Sequence, residues 1–225
     1  MEKATSINWH ESVDYYCERL DSAFWAEPIN AISNGFFIIA ALLAVRMWHK
    51  SAARSWDLLV LAALIAVVGV GSFIFHTMAT KAAALADVIP IAIFIHFGLA
   101  VFLYRVANAG LLFTMLGVFA FGIFSMAFRK YVDIDFINYS AQYVPAALLL
   151  LGMSIFTSIK KIPSAKYFVM AALVFLASLT IRTFDMAICS QLPIGIHYMW
   201  HLLNAIVMYL VFKGVISYSR FSVNI

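Results

Sequence analysis

The chain has 225 residues, 64% hydrophobic and only 12% charged, with a formal net charge of +4. A soluble domain carries about 45–50% apolar and about 25% charged residues, so an ordinary soluble globular fold is excluded. Two cysteines are too few for a disulfide scaffold or a Cys-rich zinc module. The 15 Lys and Arg lie singly or in pairs between apolar runs, which argues against nucleic-acid binding and for a membrane protein whose loops carry the charge.

Residues 1–28 are polar, acidic and aromatic. They lack an apolar h-region, so they read as an extramembrane segment and not as a cleaved signal peptide. Seven runs then meet the length of about 20 mainly apolar residues that a spanning helix needs. They are Ile29–Trp48, Asp57–His76, Ala83–Tyr104, Ala109–Phe128, Ala141–Ile159, Ala165–Phe184 and Pro193–Tyr218. The expected fold is all-α: a polytopic membrane protein with one seven-helix domain over 29–218 and a short tail at 219–225. The connections leave no room for a second domain.

With seven spans, the amino terminus and the loops after spans two, four and six share a side. That side carries Lys3, Arg19, Lys81, Arg129, Lys130 and Arg182, six in all, against nine on the other: Arg46, Lys50, Arg54, Arg105, Lys160, Lys161, Lys166, Lys213 and Arg220. The positive-inside rule therefore predicts a cytoplasmic carboxyl terminus and an amino terminus outside the cell or in a lumen. Either a bacterial plasma membrane or an endomembrane such as the ER or Golgi fits.

Ionisable groups within apolar spans are costly and are functional candidates by default. The second span ends with Ser72 and His76, four apart and on one helical face. The third opens with Asp87 about one turn in, and the seventh carries His197 and His201, again four apart. The predicted topology puts all five in the outer third of the membrane. Three imidazoles with an open fourth position are a common catalytic zinc arrangement. A neighbouring carboxylate can orient or deprotonate a water there, and a serine hydroxyl can hydrogen-bond that water or a developing oxyanion. Interhelical hydrogen bonding alone is the other account of such a histidine pair.

These residues resemble a known superfamily. Ser72-x-x-x-His76, Asp87 and His197-x-x-x-His201 look like the pattern of seven-helix membrane hydrolases that include alkaline ceramidases, adiponectin-type receptors and GPI-lipid remodelling proteins. Asp14-Tyr-Tyr-Cys17-Glu18, followed by Ala26-Glu27-Pro28-Ile29-Asn30, is similar to the opening of alkaline ceramidases, and Trp200-His201-Leu-Leu-Asn204 fits the same family. The resemblance runs from about residue 13 to 210.

It implies a zinc-dependent amidase that cleaves ceramide-type lipids within the bilayer to a sphingoid base and a free fatty acid. His76, His197 and His201 would bind Zn²⁺, Asp87 would act as general base and acid, and Ser72 would hold the water or the oxyanion. No obligate protein partner is implied. The resemblance also implies a Ca²⁺ site in the amino-terminal segment, with Asp14, Glu18 and Glu27 as the matching carboxylates. Here the sequence departs from the family: Tyr15 and Tyr16 stand where it has an aspartate and a tryptophan, and Leu20 where it has an asparagine. Cys17 and Cys189 fall on one predicted, non-cytoplasmic face, and the resemblance supports a disulfide between them. Two other functions stay open: a related hydrolase acting on another amide or ester lipid, and a non-enzymatic receptor with a structural zinc site.

The remaining polar residues have plainer readings. His96 falls roughly opposite Asp87 on the helical wheel and should not join the site. Arg182 and Asp185 read as an ion pair. Asn138-Tyr-Ser140 matches a glycosylation acceptor.

Overall fold

The computed structural model describes residues 8–52, 54–132 and 140–222, so Asn138 lies outside the described residues. Its helices are α1 (Pro28–Ser33), α2 (Gly35–His49), α3 (Trp56–Met78), α4 (Lys81–Arg105), α5 (Gly110–Tyr131), α6 (Val144–Ile159), α7 (Ala165–Phe184) and α8 (His197–Ser222). Among the described residues seven helical segments are long and apolar enough to cross a membrane, with α1 and α2 together forming the first. The expected all-α, seven-span architecture is therefore present.

Most ends shift by a few residues from the sequence reading, and two differences bear on the site. The first span is divided at Asn34, whose side-chain amide donates to the Asn30 carbonyl at 2.9 Å. The last begins at His197 and not at Pro193, because Gly195 turns the chain with φ +62°. An Asp185 carboxylate oxygen fills the place a Cβ at Gly195 would take, so glycine is required there on two counts.

The core runs along α3 and α8, where Leu58, Leu61, Ile65, Phe212, Val215 and Ile216 are fully buried, and Phe168 of α7 packs among them. α5 lies at the periphery, with Thr114 its one buried residue. At the end of the bundle away from the amino-terminal segment, Arg105 binds Asp57 bidentately, Nε to Oδ2 at 2.5 Å and a terminal nitrogen to Oδ1 at 2.8 Å. This pair ties the start of α3 to the end of α4.

α3 and α4 are joined by a two-residue turn. Ala79 adopts the left-handed conformation, φ +41°, and Thr80 caps α4 by accepting from the Ala83 N–H at 3.2 Å. The amino-terminal segment pairs onto this turn through Val13 N–H to Ala79 O (2.8 Å), Lys81 N–H to Glu11 O (3.1 Å) and Ala82 N–H to Trp9 O (3.0 Å). A Cys17–Cys189 disulfide fastens the same segment to the loop before α8, and no free cysteine remains.

α3 and α4 approach closely at Gly71. Pro90 lacks the N–H that would bond the Ala86 carbonyl in the helix. That carbonyl oxygen points to where a Cβ on Gly71 would stand, at sub-contact distance. The glycine thus lets Ser72 of α3 and Asp87 of α4, the next residues along, lie side by side. Gly71→Ala should lower stability by about 1–3 kcal/mol through overpacking. Thermal unfolding in detergent would measure it, and an unchanged midpoint would show that this contact does not fix the helix separation.

Candidate metal centre

His76, near the end of α3, and His197 and His201, in the first turns of α8, meet at the end of the bundle that faces the amino-terminal segment. All three are almost fully buried. Their ring centroids lie 4.7–5.2 Å apart, and one nitrogen of each lies within 4.8 Å of the others. Among the described residues this is the one group of three or more His, Cys, Asp or Glu placed to share a metal.

The hydrogen bonds assign the nitrogens. His76 Nδ1 donates to Glu27 Oε2 at 2.6 Å, which leaves Nε2, a buried atom with no protein partner, as the lone pair. Ser33 Oγ spends its hydrogen on the Asn30 carbonyl at 2.8 Å, so it accepts from His201 Nδ1 at 2.7 Å and leaves that ring's Nε2 as the lone pair. His197 Nδ1 is also buried without a partner. Inward-facing lone pairs, with outward N–H groups bonded to a carboxylate and a hydroxyl, are how proteins orient metal-binding imidazoles. The donor set fits a cation of the zinc type.

Ser72 and Asp87 stand beside the histidines. Ser72 is within hydrogen-bonding reach of Asp87, and Asp87 Oδ1 is buried without a partner. Together with His201 they close one end of an apolar cavity that runs between α3, α4, α6, α7 and α8, lined by Phe94, Leu99, Leu150, Met153, Phe175 and Val211 among others. Its lining on α8 runs from His201 to Val211, about 15 Å of helix at 1.5 Å rise per residue. All five residues singled out in the spans are thus brought together.

Two of the three carboxylates named in the amino-terminal segment are held by the protein's own donors. Asp14 is exposed. Glu18 caps α1, its Oε1 accepting from the Ile29 N–H at 2.7 Å and its Oε2 from the Asn30 N–H at 2.8 Å. Burial pushes its carboxyl above the ordinary value, against the pull of those two donors. Glu27 is engaged on both oxygens, Oε1 with Arg19 Nε at 2.5 Å and Oε2 with His76 and, at 3.1 Å, Asn30 Nδ2. Burial drives Glu27 up too, but His76, Arg19 and Asn30 together hold it below its ordinary value. Asp14, Glu18 and Glu27 do not form a three-residue metal group.

Several residues of the centre escaped the sequence reading. Tyr16 stacks on the His197 ring at 3.7 Å between centroids. Asp185 does not pair with Arg182. Its Oδ1 accepts from the N–H groups of Ile196 (2.7 Å) and His197 (3.0 Å), where an anion suits the positive end of α8. Arg182 instead lies over the rings of Tyr143, Trp200 and Tyr16 at 5.2–5.6 Å. His96 faces a separate groove, as its wheel position requires. One signal was available for Ser33 and the Glu27 contacts: Glu27, Asn30, Ser33 and Asn34 recur at three- and four-residue spacing, a polar stripe on the first span.

A sequence model of a protein family, described as Ceramidase, matches residues 2–223, nearly the whole chain. No curated protein matches it. The Glu27 contact yields a test that needs no substrate. Glu27→Gln should weaken metal binding by about 10–100-fold, the usual cost of losing a carboxylate behind a ligating histidine. Competition with a chelator would read this, and wild-type affinity would remove Glu27 from the centre.

Proposed function

Because the chain belongs to the Ceramidase family, whose activity is hydrolysis of amide bonds, we propose that it is a zinc-dependent intramembrane amidase that splits ceramide-type lipids into a sphingoid base and a free fatty acid. The observation that carries this reading is the burial of Ser72, Asp87 and three histidines together, with Ser72, Asp87 and His201 lining an apolar cavity. Such a cavity suits a substrate with an alkyl chain and a polar linkage at one end.

His76, His197 and His201 would hold Zn²⁺, which supplies Lewis acidity and lowers the pKa of a water toward 7. Asp87, with an unpartnered Oδ1 in the cavity, takes a proton from water as the water oxygen bonds to the acyl carbon. It returns a proton to the sphingoid nitrogen as the C–N bond breaks. The Ser72 hydroxyl, beside Asp87, donates to the oxyanion that develops on the acyl oxygen. The apolar walls exclude bulk water and strengthen both interactions.

The amino-terminal segment, residues 8–27 of those described, serves as an extramembrane cap on the seven-helix domain, and α8 ends at the other face. The excess of Lys and Arg on the far side supports a cytoplasmic carboxyl terminus. The disulfide at the capped end supports the same orientation independently, since such bonds persist on oxidising faces.

Purified protein should release fatty acid from ceramides in preference to lipid esters and contain one zinc per chain. Asp87→Asn should keep the metal and lose about 10²–10⁴-fold in turnover. His197→Ala should lose the metal and the activity together. Full turnover by the Asp87 variant, or normal metal content in the His197 variant, would refute these assignments.

A further inference from the structure

Resemblance to alkaline ceramidases implies a calcium ion in the amino-terminal segment with Glu27 among its ligands, yet one oxygen of Glu27 is already bound by a cationic side chain of the protein itself. Arg19 is 4% exposed. Its guanidinium donates to Glu27 Oε1 at 2.5 Å, to the His76 carbonyl at 3.0 Å and to the Asp21 carbonyl at 3.0 Å. One carboxylate and two main-chain carbonyls are the oxygen types calcium selects. We propose that Arg19 is a built-in cation that replaces calcium here, so that the chain holds Glu27 against His76 without a bound ion.

The oxygen count supports this. Calcium takes six to eight oxygen ligands. Both Glu18 oxygens are committed to the α1 N-terminus and both Glu27 oxygens to Arg19, His76 and Asn30. Asp14 is exposed, and Leu20, at the position of the family's asparagine, is 86% exposed and offers no side-chain oxygen. Asn30 Oδ1 and Asn34 Oδ1 are buried without a partner, but two free amide oxygens are far short of a calcium shell. Charge argues the same way. A divalent ion brought to Glu27 would meet a guanidinium already on that carboxylate, and Arg19 cannot leave without baring a buried charge.

Arg19 is accordingly a positioning residue, acting through Glu27 on the orientation of His76. It spans three elements: the amino-terminal segment that carries it, the residue preceding α1, and the last turns of α3. The departure of the sequence from the family at Leu20 then has a physical account, in which the ion and its asparagine ligand are lost together.

The test uses wild-type protein in detergent, titrated with millimolar CaCl₂ and, as an ionic-strength control, MgCl₂. Thermal unfolding and calorimetric binding are recorded. Ca²⁺ should shift the unfolding midpoint no more than Mg²⁺ and show no stoichiometric binding, because an ion bound only by the folded state would raise the midpoint by mass action. A Ca²⁺-specific rise, or a site filled at one ion per chain, would overturn the proposal. In parallel, Arg19→Gln should unfold at lower temperature and bind zinc about 10–100-fold more weakly, with Arg19→Lys recovering part of both. Wild-type zinc affinity in Arg19→Gln would deny its action on His76. If that variant does not fold, the wild-type titration alone decides. Neither readout uses turnover, so failure here leaves the amidase reading standing.

Discussion

A buried carboxylate must find donors for both of its oxygens, and at the end of an apolar bundle few are at hand. Glu27 satisfies this with Arg19 on one side and His76 and Asn30 on the other. The geometry of the centre follows from that requirement. His76 is turned so that its second nitrogen faces inward, the amino-terminal segment is drawn across the bundle mouth, and α1 is held at the angle from which Ser33 reaches His201. A pair this deep is a poor source of net stability, because desolvation consumes much of its attraction. What it supplies is orientation.

The other half of the centre depends on small residues that let backbones close. Gly71 admits the Ala86 carbonyl freed by Pro90, which sets Ser72 against Asp87. Gly195 admits the Asp185 carboxylate, which starts α8 at His197. The histidines therefore occupy the first two turns of α8, close to the mouth, and not its middle. The disulfide reinforces this end by fastening Cys17, next to Tyr16 and Glu18, to the loop that leads into α8.

The polar cluster is confined to one end of the molecule, and the cavity below it is lined mainly by apolar side chains. This division matches a reaction in which only the linkage of a lipid is changed while its chain stays in a hydrocarbon-like setting. Ionisable groups at that depth are costly to bury. Here each has a partner or a place in the shared centre, as with Arg182 among three aromatic rings.

The sequence alone determined the seven spans, since length and hydropathy are local properties and a bilayer imposes one length on every span. It also picked out Ser72, His76, Asp87, His197 and His201, because polar residues stand out in apolar helices and a four-residue spacing fixes a shared face. Arg19, Ser33, Tyr16 and Asp185 were not legible in this way. Each lies in or beside a polar stretch where its type is unremarkable, and each acts on a different element, as Ser33 does on His201. Glu27 shows the limit most clearly. By resemblance to the family it reads as a calcium ligand. Only the packing of three elements shows that its charge is already met by Arg19 and His76, because that depends on distances between segments that spacing along the chain does not encode.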